Sequence, residues 1–246
     1  MAKELIHTII YEYSYIWLYV LTFLYFFFLY FGIAPIFEKA CLWLESKKVV
    51  HRILKKEATK RQKNVEKLHA LKSIFVFGFS VLPVVYCIRT NTIVLLPDTF
   101  LNIILGVALL TIWNEIHFFV IHRIMHIPFF MNHVHKVHHK SIIPTVYSVY
   151  SFHLFEALLL STVPITLLPF IPFSPVAVFL YPLASILLNY SGHCNYRFGT
   201  GKGTGWKLFG TRHNAHHSEF RKNYGFASNI LDQLNHKISR LRQSKK

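Results

Sequence analysis

Eight histidines fall between Glu115 and His153: His117, His122, His126, His133, His135, His138, His139 and His153. They carry two spacings, His122-x-x-x-His126 and His135-x-x-His138-His139, and the second returns downstream as His213-x-x-His216-His217. On a helix, residues three and four apart share a face, so each cluster is expected to aim two or three imidazoles at one point. Folding alone has no use for such an arrangement, and gathered imidazoles read first as a metal site. Imidazole suits zinc, iron, copper or nickel, and the scarcity of carboxylates argues against magnesium and calcium. A zinc protease would carry His-Glu-x-x-His with its glutamate as base; no such run occurs. The imidazoles outnumber the roughly four to six groups that one ion accepts, so two metal ions are implied.

The elements that must position these groups are membrane helices. Of the 246 residues 53% are hydrophobic and only 15% charged, against about 25% charged in an ordinary soluble domain. The apolar residues lie in long uncharged runs, as a bilayer requires. The expected fold is all-α: an integral membrane bundle of four to five spans with a cytosolic, histidine-rich helical cap. Residues 1–98 are read as N-terminal spans with a basic connector, and 99–246 as the histidine-bearing region continuous with it. The formal charge is +16. Eleven of the 27 Lys and Arg lie between Lys39 and Lys72, and eleven more from Arg197 to Lys246. That placement fits basic loops held on the cytosolic side. Nucleic acid is not expected as a partner, because the basic blocks flank spans and carry no nucleic-acid motif. Three scattered cysteines, Cys41, Cys87 and Cys194, suggest no disulfide framework.

In chain order, residues 1–12 form a short leader and 13–37 a first span, read as a signal anchor. Residues 38–72 read as a basic amphipathic helix on the membrane surface. A second span covers 73–88, and a third starts at Phe100 and ends within the first histidines. Between Glu156 and Arg197 no formal charge occurs, and Pro164, Pro169, Pro172, Pro175 and Pro182 crowd the middle. A hairpin of two crossings, or a re-entrant one, is expected there. With the N-terminus outside, five crossings leave every histidine cluster on the cytosolic face. Residues 199–205 read as a flexible loop, and 237–246 as a basic tail.

His122-Arg123-x-x-His126, His135-Lys136-x-His138-His139, Gly192-His193 with Tyr196, and His213-x-x-His216-His217 with Asn223-Tyr224-Gly225 together resemble the fatty acid hydroxylase/sterol desaturase superfamily. The order and spacing match across roughly residues 100–235, and His153-x-x-Glu156 is similar to a further His-Pro-x-Glu element, with Leu154 in the proline's place. The resemblance implies a membrane di-iron oxidoreductase that uses O2 to hydroxylate an unactivated C–H bond of a fatty acyl or sterol-like lipid. Desaturation is the alternative outcome, and a non-redox metal-binding or transport protein the alternative class. It implies His122, His126, His135, His138, His139, His193, His213, His216 and His217 as metal ligands. His117, His133 and His153 stand as further ligands or neighbours, and Glu115, Glu156, Asn223 and Asp232 as groups orienting imidazoles through the other ring nitrogen. Two iron ions are the implied cofactors, with zinc able to replace them in a purified sample. Electrons then come from a separate donor, a b-type cytochrome or a ferredoxin with its reductase. The implied location is the bacterial inner membrane or, in a eukaryote, the endoplasmic reticulum.

Overall fold

The computed structural model describes residues 2–198, 209–219 and 222–243; the loop expected at 199–205 and the last residues of the basic tail lie outside them. The architecture is helical. A short helix α1 (Ala2–Tyr11) precedes α2 (Tyr15–Ser46), and α3 is Lys60–Arg89. Between α2 and α3 lies a strand, β1 (Val50–Arg52). The third long helix, α4, is Phe100–Met125, and a helical segment over residues 128–139 (α5) follows it. Then come α6 (Leu154–Leu160), α7 (Pro175–His193), β2 (Tyr196–Phe198), α8 (Phe209–Glu219) and α9 (Ile230–Gln243).

Each of the four long helices starts on a hydroxyl side chain. Ser14, Thr59, Thr99 and Ser174 accept from the backbone N–H of Trp17, Gln62, Asn102 and Ala177, satisfying donors that a helix start otherwise leaves orphaned. Pro175 opens α7, where its missing N–H does no harm. These four helices, α2, α3, α4 and α7, are long and apolar enough to cross a membrane. They turn Trp17, Phe28, Phe75, Leu101, Ile112 and Phe179 outward, each more than half exposed, as suits contact with lipid chains. The interior is stitched by phenols. The backbone of α2 widens into a π turn at Phe28–Gly32, and the Tyr190 hydroxyl donates to Leu29 O at 2.7 Å while Tyr30 donates to Tyr147 O at 2.6 Å.

Two expectations need correction. The basic stretch 38–72 is not one surface helix: it is split among the end of α2, β1 and the first turns of α3. The break comes where Lys48 adopts φ 59° and β1 pairs antiparallel with β2. That two-stranded ribbon is also the one departure from an all-helical fold among the described residues. The 156–197 segment does form a hairpin, but its limbs are unequal. The first is helical only over Leu154–Leu160 and continues as irregular turns to Phe170. It runs beside α4 in the opposite direction: Glu156 meets His135, Thr162 meets His117, and Thr166 accepts from the Trp113 indole. Phe173 then bridges Leu95 at the far end, and α7 returns. Thus α4 and α7 run the same way, α4 ending just before His126 and α7 ending on His193. A Cβ on Gly106 would sit 2.6 Å from that of Ala177, so glycine lets their backbones touch near their starts.

Candidate metal centre

Nine imidazoles meet at the ends of α4 and α7, on α5 and on α8, in two adjoining groups. His122, His126, His135, His139 and His216 form one; His138, His193, His213 and His217 form the other. Within each group one nitrogen per residue lies within 4.8 Å of all the others. All nine are buried except His126, which is half-buried. The groups adjoin: the His139 and His217 rings stand 4.9 Å apart.

In each copy of the repeated spacing two of the three imidazoles meet at one point, and the third goes to the other group. His135 and His139 share a face of α5 and enter the first group, while His138 turns to the second. In α8 the roles reverse: His213 and His217 enter the second group and His216 the first. Neighbours on a helix differ by about 100° in direction, so an adjacent pair serves two centres at once.

Outer hydrogen bonds hold several rings in one tautomer. His122 donates from Nδ1 to Tyr224 O at 2.9 Å, His216 to Lys222 O at 2.8 Å, and His193 to Asn189 O at 3.0 Å. His135 Nδ1 faces Glu156 Oε1 at 2.8 Å. A carbonyl can only accept, so these Nδ1 atoms carry the proton and a neutral ring keeps its lone pair on Nε2. Those lone pairs turn inward. The Nε2 atoms of His122 and His135 are buried without a hydrogen-bond partner. His193 Nε2 lies 2.7 Å from His213 Nε2, which is 3.0 Å from His217 Nε2, and His126 Nε2 lies 3.1 Å from His216 Nε2. Ligands about 2.1 Å from a shared ion come to about this separation. The donor set therefore fits metal ions. Burial, reinforced by neighbouring imidazoles, holds His126 down to about 2 and, against the Lys222 hydrogen bond, His216 to about 4. His138, His139, His213 and His217 are lowered for the same reasons. All are thus neutral near pH 7, the form that binds metal.

The other candidates fall elsewhere. His117 Nε2 pairs with Thr162 Oγ1 at 3.0 Å, outside both groups. His133 is exposed and bonded to Phe129 O. His153 is exposed and caps α6, accepting from Phe155 N. Among the described residues, Glu156 is the one of the four polar candidates bonded to an imidazole. Glu115 accepts from the backbone N–H groups of Phe226, Ala227 and Ser228. Asp232 accepts from those of Tyr224 and Gly225. Asn223 takes a φ of 60° and donates to Arg212 O. These residues shape the 222–228 turn, and that turn presents the carbonyls of Lys222 and Tyr224 to two imidazoles. A Cβ on Gly225 would lie 2.1 Å from Ser228 O, so the turn closes only around glycine. Backbone acceptors such as Tyr224 O carry no side-chain signal, and sequence reasoning missed them. Glu115→Ala is expected to lower stability by about 2–3 kcal/mol, since several donors lose a charged acceptor; a thermal melt that does not move would contradict this role.

An apolar cavity of about 270 Å³ lies within the bundle. Phe118, Phe152 and Phe226 line one end of it. Phe118 packs on His122 at 4.9 Å and Phe152 on His138 at 5.0 Å between ring centroids, so this end abuts both imidazole groups.

The family model for fatty acid hydroxylase matches residues 107–236, more than half of the chain and every one of the nine histidines. The chain belongs to the fatty acid hydroxylase family. It is similar to a probable Delta(7)-sterol 5(6)-desaturase of Neurospora crassa, 28% identical over 51% of this chain and 36% of that protein. It is similar to the Delta(7)-sterol 5(6)-desaturase of Leptosphaeria maculans, at 29% over 50% of this chain and 33% of the relative. A human fatty acid hydroxylase domain-containing protein 2 is 29% identical over 60% of this chain and 42% of its own length. The match therefore spans well under half of each relative. No solved structure matches. With its four apolar helices and paired histidine groups, the chain is a membrane protein of the hydroxylase/desaturase superfamily.

Proposed function

We propose that this family member is an O2-dependent di-iron enzyme that hydroxylates an unactivated C–H bond of a lipid. The observation that carries the proposal is the pairing of two imidazole groups with an apolar cavity ending against them. His122, His126, His135, His139 and His216 would hold one iron, and His138, His193, His213 and His217 the other. Bound iron supplies the electrons that activate O2. The net change is addition of one oxygen atom to carbon, with the second leaving as water after uptake of two electrons and two protons. The chain's own contribution is placement. Glu156 and the carbonyls of Lys222, Tyr224 and Asn189 fix ring orientation, and the phenylalanine end of the cavity keeps water from the lipid. The histidine face is cytosolic in this reading, with Arg123, Lys136 and Lys140 beside it to meet an acidic electron donor. A desaturase is the second reading, favoured by the names of two of the relatives.

Lipid extracts of cells with and without the gene, grown under heavy-isotope O2, test this. One lipid is expected to gain one labelled oxygen atom, and His138→Ala to abolish that product and lower metal content while the protein still inserts. A lipid that loses two hydrogens and gains no label would favour the desaturase. Unchanged lipids, or full turnover by the variant at unchanged metal content, would overturn the assignment.

A further inference from the structure

The cavity is apolar but not uniformly so. Asn114 lines it and is only 7% exposed, with an amide Nδ2 that is buried and has no hydrogen-bond partner. It stands on α4 in register with Phe118 and His122, at four-residue steps along one face. Eight residues separate Asn114 from His122, so the amide sits about 12 Å along the helix axis from that ligand. An unpartnered amide at this depth in an apolar bundle is costly, and polar side chains inside membrane proteins mark sites of function. Among the described residues, no Lys, Arg, Asp, Glu or His lines the cavity. A buried carboxylate or phosphate would therefore find no countercharge there.

From these observations we infer that Asn114 determines specificity: it recognises a neutral oxygen group, a hydroxyl first of all, on the lipid that fills the cavity. A hydroxyl can accept from Nδ2 and donate to Oδ1, so it satisfies the amide whichever way the side chain is turned. The substrate class is then a lipid already bearing an alcohol function within its buried part. Plain hydrocarbon chains and free fatty acids are poorer ligands. This deepens the lipid-oxidising reading and rests on it.

The test compares matched lipids on the purified full chain in detergent, by native mass spectrometry. One pair is cholesterol and cholestane, the other octadecanol and octadecane, with octadecanoate as the charged control. The alcohol of at least one pair is expected to bind about tenfold more tightly than its hydrocarbon, the scale of one buried hydrogen bond. The pair that shows this tells a sterol from a long-chain alcohol. Asn114→Leu is expected to bring the ratio near one while leaving hydrocarbon binding intact. It is also expected to raise Tm without lipid, because an orphaned polar group has been removed. Asn114→Ala should lose the preference too, without the bulk of leucine. The inference falls if neither alcohol is preferred, if the preference survives both variants, if octadecanoate binds best, or if the leucine variant melts lower. Failure of every lipid to bind would instead overturn the reading of the cavity as the substrate's site, and this inference with it.

Discussion

Replacing His217 by alanine is expected to remove about one of two bound metals per chain, whereas replacing its neighbour His216 weakens the other site without emptying it. The two residues are adjacent on α8 and both fully buried, yet they serve different groups. His217 belongs to a group of four, and its loss leaves three imidazoles. His216 belongs to a group of five, and its loss leaves four, still enough for a tetrahedral ion. Alanine is the best helix former, so α8 itself should persist in both variants. Under the proposed di-iron reaction, which would need both ions, activity should fall to background in each. Metal analysis of the purified variants decides the matter, with His133→Ala as a control that should lose nothing. Equal loss from both variants would mean that the two groups are one site.

The next largest effect is expected at Glu156. Its Oε1 lies 2.8 Å from His135 Nδ1, with both side chains buried to within 3%. Glu156→Ala leaves that N–H without an acceptor in a dry interior, and the ring can lower its energy by moving the proton to Nε2. The lone pair then faces away from the metal. Loss of an outer partner of this kind typically weakens metal binding roughly 10–100-fold. Competition with a chelator measures the change, and Glu156→Gln, which keeps a carbonyl acceptor, should recover part of it. Retention equal to the unaltered protein would assign Glu156 to packing alone.

The histidines were legible because their type and spacing have no other use, and the four long helices because lipid demands uncharged runs of that length. What stayed hidden depends on partners far away in sequence. The i, i+3, i+4 pattern names a face, but the site each ring enters is decided by where α5 and α8 meet, some 77 residues apart (His139 to His216). Glu115 was expected on an imidazole and instead grips the backbone of residues 226–228, more than a hundred positions downstream. The basic 38–72 stretch has a plausible amphipathic pattern, and only the pairing of Val50–Arg52 with Tyr196–Phe198 reveals the break. Proline marked the hairpin turn correctly, yet Pro182 lies inside α7, as a membrane helix packed among neighbours tolerates.

The reciprocal sharing of adjacent histidines bears on biogenesis. A nascent chain that has emerged as far as His193 possesses four of the five imidazoles of one cluster and two of the four of the other. Neither cluster is complete until the ribosome has passed residue 213, and the final two ligands, His216 and His217, arrive together, one for each. The earlier-filled cluster already offers enough nitrogens to capture an ion, while the later one does not. If each cluster takes a metal as proposed, maturation would be ordered: one cation could be taken up during synthesis, and the second would wait for the last helix to dock.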